Sequence, residues 1–295
     1  MSSARRELRG HHVLIEGAID MHVHYGPEPM LDIISGSRHS VDPIQAAGEA
    51  REHGMGAIVL KPHEFPSVLA AQLAADAVPG IEIFGGITLD HPVGGINPFA
   101  VEVALRAGAR VVWLPTVSAL TSRRTEQLFG TSERFAVADQ GGVLLPDVAA
   151  IVDLVIEYDA VLATGHITAD EHFAVANAMA GRGKVVATHA MHGNGAGPEL
   201  TKSQCVELAQ RGMFIEFAAH TCAGNPAKAT QVAEALAVLP HTQVVLSSDF
   251  GWTQHLPHPA AGLQSYVSQL WELGVPEAVL RQVAAATPRE LLALE

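Results

Sequence analysis

Short β-branched runs, each ending in polar or turn residues, recur along the chain, and most lead into an alanine-rich stretch with helical spacing. Eight can be counted: HVLIEGAIDMHVH, GAIVLKPH, IEIFGGITLD, ARVVWLPTV, AVLATGHI, VVATHAMH, MFIEFAAH and QVVLSSDFG. A strand followed by a helical pattern is the sequence form of a βα unit, because parallel strands need a crossover to join them. Helical candidates fill the gaps: DPIQAAGEAREHG, NPFAVEVALRAG, ADEHFAVANAMAGRG, LTKSQCVELAQRG and PAKATQVAEALAVL. Glycine closes four of these five stretches, as expected of a residue that enters the left-handed region without steric cost.

With His22, Lys61, Thr88, Thr116, His166, His189, Glu216 and Asp249 taken as strand ends, most steps are about 25 to 40 residues, one βα unit each. The expected architecture is an α/β fold, a single-domain (β/α)8 TIM barrel over residues 1–295. The step from Thr116 to His166 is longer. It holds SALTSRRTEQLFGTSERFAVADQGGVLLPDV, read as an insertion after strand four that covers the active face as a lid. A doubly wound open sheet would advertise a glycine-rich phosphate loop after its first strand, whereas this chain has HVHYGPEP there. The C-terminal LRQVAAATPRELLALE reads as terminal helices packing on the barrel.

Charge narrows the partners. A formal charge of -13, from 31 acidic against 18 basic residues, repels phosphate backbones and anionic membranes. A small-molecule substrate is therefore expected, with no nucleic acid and no membrane as partner. Barrels of this kind commonly pair, so a homo-oligomer is expected too. Two cysteines, Cys205 and Cys222, are too few for a disulfide framework, which suits a reducing cytoplasm. The N-terminal MSSARRELRGHH lacks a signal-peptide core, and no stretch reaches the roughly 18 apolar residues of a spanning helix.

The 16 histidines carry the chemistry. Residues two apart in a strand face the same side, so His22 and His24 in DMHVH point together into the barrel. His166 in LATGHIT, His189 in ATHAMH and Asp249 in LSSDFG each fall at the end of an expected strand. In a barrel those ends converge on the catalytic face, where nitrogen and oxygen donors from separate strands suit zinc or a similar divalent ion. Any one of these groups is ordinary at a strand-to-helix turn; five that converge define a metal site. Lys61 ends strand two, with His63 two residues on, and His192, Glu171 and Glu216 lie near the same rim, expected to orient ligands or meet substrate.

The order HxH, His, His, Asp across strands one, five, six and eight resembles the amidohydrolase superfamily over essentially the whole barrel. The stretches AIDMHVHYGPEP, VLKPHEFPS, HPVGGINPFAVEVALRAGARVVWLPTVSA, LATGHITADE and LSSDFG are similar to a poorly characterised group within it, known only as metal-dependent hydrolases. The resemblance implies that His22, His24 and Asp249 hold one ion and His166 and His189 a second, zinc or manganese. It implies attack on an amide, cyclic amide, lactone or ester by a metal-activated hydroxide, with Asp249 as catalytic base.

One departure bears on the reaction. The familiar bridging lysine or glutamate of strand four is missing from VVWLPTV; Lys61 on strand two is the obvious substitute if carbamylated, and otherwise a plain ammonium ion that pairs with a carboxylate such as Glu216 or binds an anionic substrate. Without carbamylation the site holds one ion, and the reading moves to a mononuclear decarboxylase with Arg38, Arg123 or Arg124 binding a substrate carboxylate. A third reading, a metal-dependent binding or sensing protein, is disfavoured by an intact Asp249.

Overall fold

The protein is described here from a computed structural model that covers residues 15–294, apart from 194–196 and 198. The MSSARRELRGHH stretch and the first residues of the HVLIEG run lie outside the described residues. β1 (Ile19–Val23) is followed by α1 (Pro29–Ser35) and α2 (Pro43–Glu52), and β2 (Ala57–Leu60) by α3 (Val68–Ala77). Next come β3 (Glu82–Thr88), α4 (Pro98–Arg106), β4 (Val111–Trp113), α5 (Thr125–Phe129) and α6 (Pro146–Glu157). The second half runs β5 (Val161–Ala163), α7 (Ala169–Met179), β6 (Lys184–Ala187), α8 (Lys202–Gln210), β7 (Phe214–Ala218), α9 (Ala219–Cys222) and α10 (Pro226–Leu236). β8 (Val244–Ser247), α11 (Pro259–Glu272), α12 (Glu277–Arg281) and α13 (Thr287–Leu291) complete it. The strands lie side by side in chain order, every neighbouring pair parallel, which is the (β/α)8 barrel.

The helices begin where the sequence supplies a cap. Asp42 accepts from Gln45 N ahead of α2 and Asn97 from Ala100 N ahead of α4, each with proline next. Thr168 with Glu171, and Thr201 with Gln204, form reciprocal capping boxes that start α7 and α8. Among the described residues no helix is long and apolar enough to cross a membrane.

Two apolar layers hold the barrel. Ile58, Leu60, Val112, Leu162, Ile215 and Leu246 face the helices. Ile19, Met21, Ala57, Val59, Trp113 and Val245 fill the interior, and Leu291 and Leu292 join them from the end of the chain. The terminal helices thus pack on the barrel, as expected, at the end where the strands begin. In β1 the register shifts between Asp20 and Val23. Met21 belongs to the interior cluster and His22 lines a cavity above it, while Val23 packs toward the helices. A bulge of this kind re-aims side chains at the rim of a barrel, and here it turns His22 inward beside its interior neighbour.

The ring closes between β8 and β1 with few ladder bonds. Val23 bridges Phe250, His24 N donates to Phe250 O at 2.9 Å, and Asp249 N donates to His22 O at 3.0 Å. Asp20 Oδ1 ties the two strands below, accepting from His22 N at 3.1 Å and Ser248 N at 3.0 Å. Gly251 is the tightest point of this seam. Its φ is +112°, and a Cβ there would lie 1.9 Å from His24 O, so only glycine fits. Replacing Gly251 with Ala should destabilise the fold by well over about 1 kcal/mol, read as a lowered midpoint in urea unfolding.

Candidate metal centre

The strand ends deliver most of the expected residues to one place. Lys61 follows β2 directly, His166 and His189 lie three and two residues beyond β5 and β6, and Asp249 lies two beyond β8. A cavity of about 220 Å³ is lined by His22, His24, Lys61, His63, His166, His189, His192, His220 and Asp249. Leu31, Ile34, Val117, Ser122, Arg124 and Trp252 form its outer wall. The stretch after β4 therefore supplies part of the wall, through Val117, Ser122 and Arg124. The size falls below the usual range of roughly 300–1,000 Å³ for drug-sized ligands, which favours a small compound.

Asp249 is the centre of the cluster. Its Oδ1 lies 3.2 Å from His22 Nε2 and 3.0 Å from His24 Nε2, and its Oδ2 lies 3.2 Å from His220 Nδ1. Its backbone φ is +54° and that of His189 is +29°, uncommon for residues with a Cβ. Such backbone costs about 1–3 kcal/mol per residue and persists only where the surroundings over-determine it. For Asp249 the fixing bonds are the seam contacts to β1.

Glu216 organises the floor. Its Oε1 lies 3.0 Å from His22 Nδ1 and accepts from Ser247 Oγ at 2.6 Å, while Oε2 accepts from His189 N at 2.8 Å. One carboxylate thereby fixes the His22 ring and the loop that carries His189. His24 is held differently: its ring stacks on His63 at 5.1 Å and 9°, and its buried Nδ1 has no hydrogen-bond partner.

The protonation states suit a cation. Burial holds His24, His166 and His189 well below the usual imidazole range, so their rings are neutral donors. Burial also takes His192 down to about 4. Burial opposes the charge on Asp249, but His22, with hydrogen bonds from His220 and His24, holds its carboxyl well below the usual carboxylate range. Burial would lower His22 as well, yet Asp249 and Glu216 raise it. Lys61 is only 1% exposed, and burial pushes its amine down to about 8 against the pull of Asp90, Glu28, Asp249 and Glu216.

A divalent ion fits these donors. The ligand atoms of His22, His24 and Asp249 all lie within 4.8 Å of one another, and so do those of His192, His220 and Asp249. His166 and His189 approach each other, with ring centroids 4.8 Å apart, but form no equally tight set with a carboxylate among the described residues.

The remaining sequence candidates divide. His63 lies within 2.8 Å of Lys61 Nζ, and its Nδ1 lies 2.9 Å from Thr116 Oγ1. Glu171 is absent from the cavity lining: one oxygen serves the α7 cap and the other accepts from Val137 N at 2.7 Å, tying the excursion after β4 to α7. Four participants carry no signal in the sequence: partly exposed His220 and buried Asp20, Asp90 and Glu28. His220 follows β7 and ends the run MFIEFAAH, and Asp20 opens DMHVH. Asp90 accepts from Thr116 N and Ser118 N, each at 2.9 Å. Glu28 receives the backbone N–H groups of His63 and Glu64.

A family model matches residues 17–216, and the chain belongs to that family, DUF6282, described as a family of unknown function. No curated protein matches the chain. Among solved structures it is similar to the probable dipeptidase PvdM from Pseudomonas aeruginosa, at 11% identity over 97% of each chain and a TM-score of 0.66. An amidohydrolase from Pseudomonas aeruginosa gives 11% identity over 96% of this chain and 97% of that one, with a TM-score of 0.63. A 2,6-dihydroxybenzoate decarboxylase from Rhizobium gives 12% identity over 94% and 99%, with a TM-score of 0.56. The chain thus shares the (β/α)8 barrel fold of these solved structures.

Glu216→Ala should lower metal affinity by about 10- to 100-fold, the usual cost of losing a group that orients a ligand. Titration of the chelator-stripped protein with zinc checks it.

Proposed function

We propose that the chain is a metal-dependent hydrolase acting on a small amide, cyclic amide, lactone or ester. The observation that carries this is the approach of His22 Nε2 and His24 Nε2 to one oxygen of Asp249 in the histidine-lined cavity. His22, His24 and Asp249 hold the ion, and Lys61, His166 and His189, which line the same cavity, are the further donors, Lys61 as a carbamate. Bound there, a zinc or manganese ion supplies Lewis acidity, which makes water a nucleophile near neutral pH and polarises a carbonyl.

The protein's own groups then manage protons and position. Asp249, deprotonated at neutral pH, accepts the proton of the attacking water and returns it to the departing nitrogen or oxygen as the carbonyl–heteroatom bond breaks. Water is thereby divided between the two products, hydroxyl to the carbonyl carbon and proton to the leaving group. His220 holds the second oxygen of Asp249, so the carboxylate keeps one orientation through the cycle. Leu31, Ile34, Val117 and Trp252 cover the outer side of the cavity and limit bulk water.

Asp249→Asn should lower turnover by about a hundred- to ten-thousand-fold at saturating metal, since the amide keeps an oxygen donor but takes up no proton. The measurement is hydrolysis of a panel of small amides, lactones and esters by zinc- or manganese-loaded protein. Undiminished activity in the variant removes Asp249 as base.

The state of Lys61 has its own test. A pKa of about 8 leaves about a tenth of the amine neutral at pH 7 and about half at pH 8, and only the neutral amine adds carbon dioxide. At fixed carbon dioxide pressure, carboxylation should rise with pH across this window. A carbon-13 carbamate signal on labelled carbon dioxide, absent from Lys61→Ala, checks it.

A second reading, decarboxylation on the same barrel, is favoured by one observation: Arg124 lines the outer cavity, where it would meet a substrate carboxylate. Arg38 borders a different depression, beside Asp32 and Asp42. Carbon dioxide release without incorporation of oxygen from labelled water would establish this reading over hydrolysis.

A further inference from the structure

Asp249 presents its two oxygens to two different groups of histidines. Oδ1 faces His22 and His24, whereas Oδ2 faces His220, whose Nδ1 is 3.2 Å away. Beyond His220 stands His192, with ring centroids 5.0 Å apart. The donor atoms of His192, His220 and Asp249 all lie within 4.8 Å of one another. Two imidazoles and a carboxylate make a donor set for zinc, manganese or a similar divalent ion.

Both rings are held in place. His192 Nδ1 pairs with Thr221 Oγ1 at 3.1 Å, which turns the Nε2 side of the ring to the cavity, and an anchored second nitrogen is the usual condition of a ligating histidine. His220 is fixed through its backbone, with N donating to Ser248 O at 3.0 Å, and its ring meets Trp252 edge-on at 5.3 Å. Its side chain is 20% exposed, against 8% for Asp249, whereas His192 is buried, so the cluster meets solvent at His220.

We propose that His192, His220 and Oδ2 of Asp249 form a second divalent-cation site, with Asp249 bridging it to the ion at His22 and His24. The inference rests on the metal reading given above and adds a ligand pair from the ends of β6 and β7, neither member of which was expected to hold metal. The site's bridging carboxylate is then Asp249 itself, which needs no residue from β4. A small substrate entering past Trp252 would meet the second ion first.

Manganese titration of chelator-stripped protein, read by elemental analysis and electron paramagnetic resonance, tests this. The wild-type chain should take up two equivalents with a spin-coupled spectrum. His192→Ala and His220→Ala should each take up one, with the six-line spectrum of an isolated ion, and His220→Gln should behave alike. Unfolding of the chelated variants at the wild-type midpoint separates loss of a ligand from loss of the fold. Two equivalents retained in these variants, or loss of the second ion in His166→Ala and His189→Ala instead, overturns the proposal. A single equivalent in the wild type, lost in His24→Ala but not in His220→Ala, overturns it while leaving the metal reading intact. No uptake at all removes both.

Discussion

The closure of β8 onto β1 is the constraint on which the rest depends. Elsewhere around the ring, neighbouring strands are joined by parallel ladders, but here the joint rests on one bridge, two backbone bonds from His24 and Asp249 and the buried Asp20. Asp249 N reaches His22 O, and His24 N reaches Phe250 O. The residues that would grip a cation are therefore the residues whose backbone closes the barrel. A cation binding across this joint would stabilise the closed ring by mass action, and disturbing the joint would disturb the site.

Electrostatics follows from that placement. Seven histidines line one cavity around Asp249, with Glu216 beneath His22 and Asp90 beside His63. Packing so many imidazoles out of water is tolerable when they are neutral, which is the state burial gives His24, His166 and His189. Neutral imidazoles with an ionised carboxylate leave lone pairs and a negative charge directed at the same space. Asp20, cut off from solvent, titrates at about 6 instead of near 4, so the carboxylate tying the seam is itself close to its charge change in the neutral range.

How much was legible can be followed residue by residue. The βα rhythm gave eight strands in order, and Thr88 falls on a strand end as expected. Thr116 and His166 lie three residues past theirs, because β4 and β5 stop early, at Trp113 and Ala163. Glu216 lies within β7, two residues before its end, and this depth is why it reaches His22 from below. Glu171 looked like a rim carboxylate but is also the third residue of a helix after Thr168, and the capping box claimed it. His220 ends the strand run MFIEFAAH, but a single histidine carries no spacing signal. Its pairing with Asp249 spans 29 positions along the chain.

By itself, the sequence determined the eight-fold βα alternation, the HxH pair and the presence of histidine and aspartate at the strand ends. These are local properties, set by side-chain periodicity and by the chemistry of each turn. The tertiary structure decided which donor atoms lie within reach of one another. The left-handed backbone at Asp249 and the passage of Gly251 over His24 go with contacts between chain ends more than 200 residues apart. Distances between ligand atoms depend on closing the ring, and closure is a property of all eight strands together. That is why His22 and His24 could be read as a pair, while the division of Asp249 between them and His220 could not.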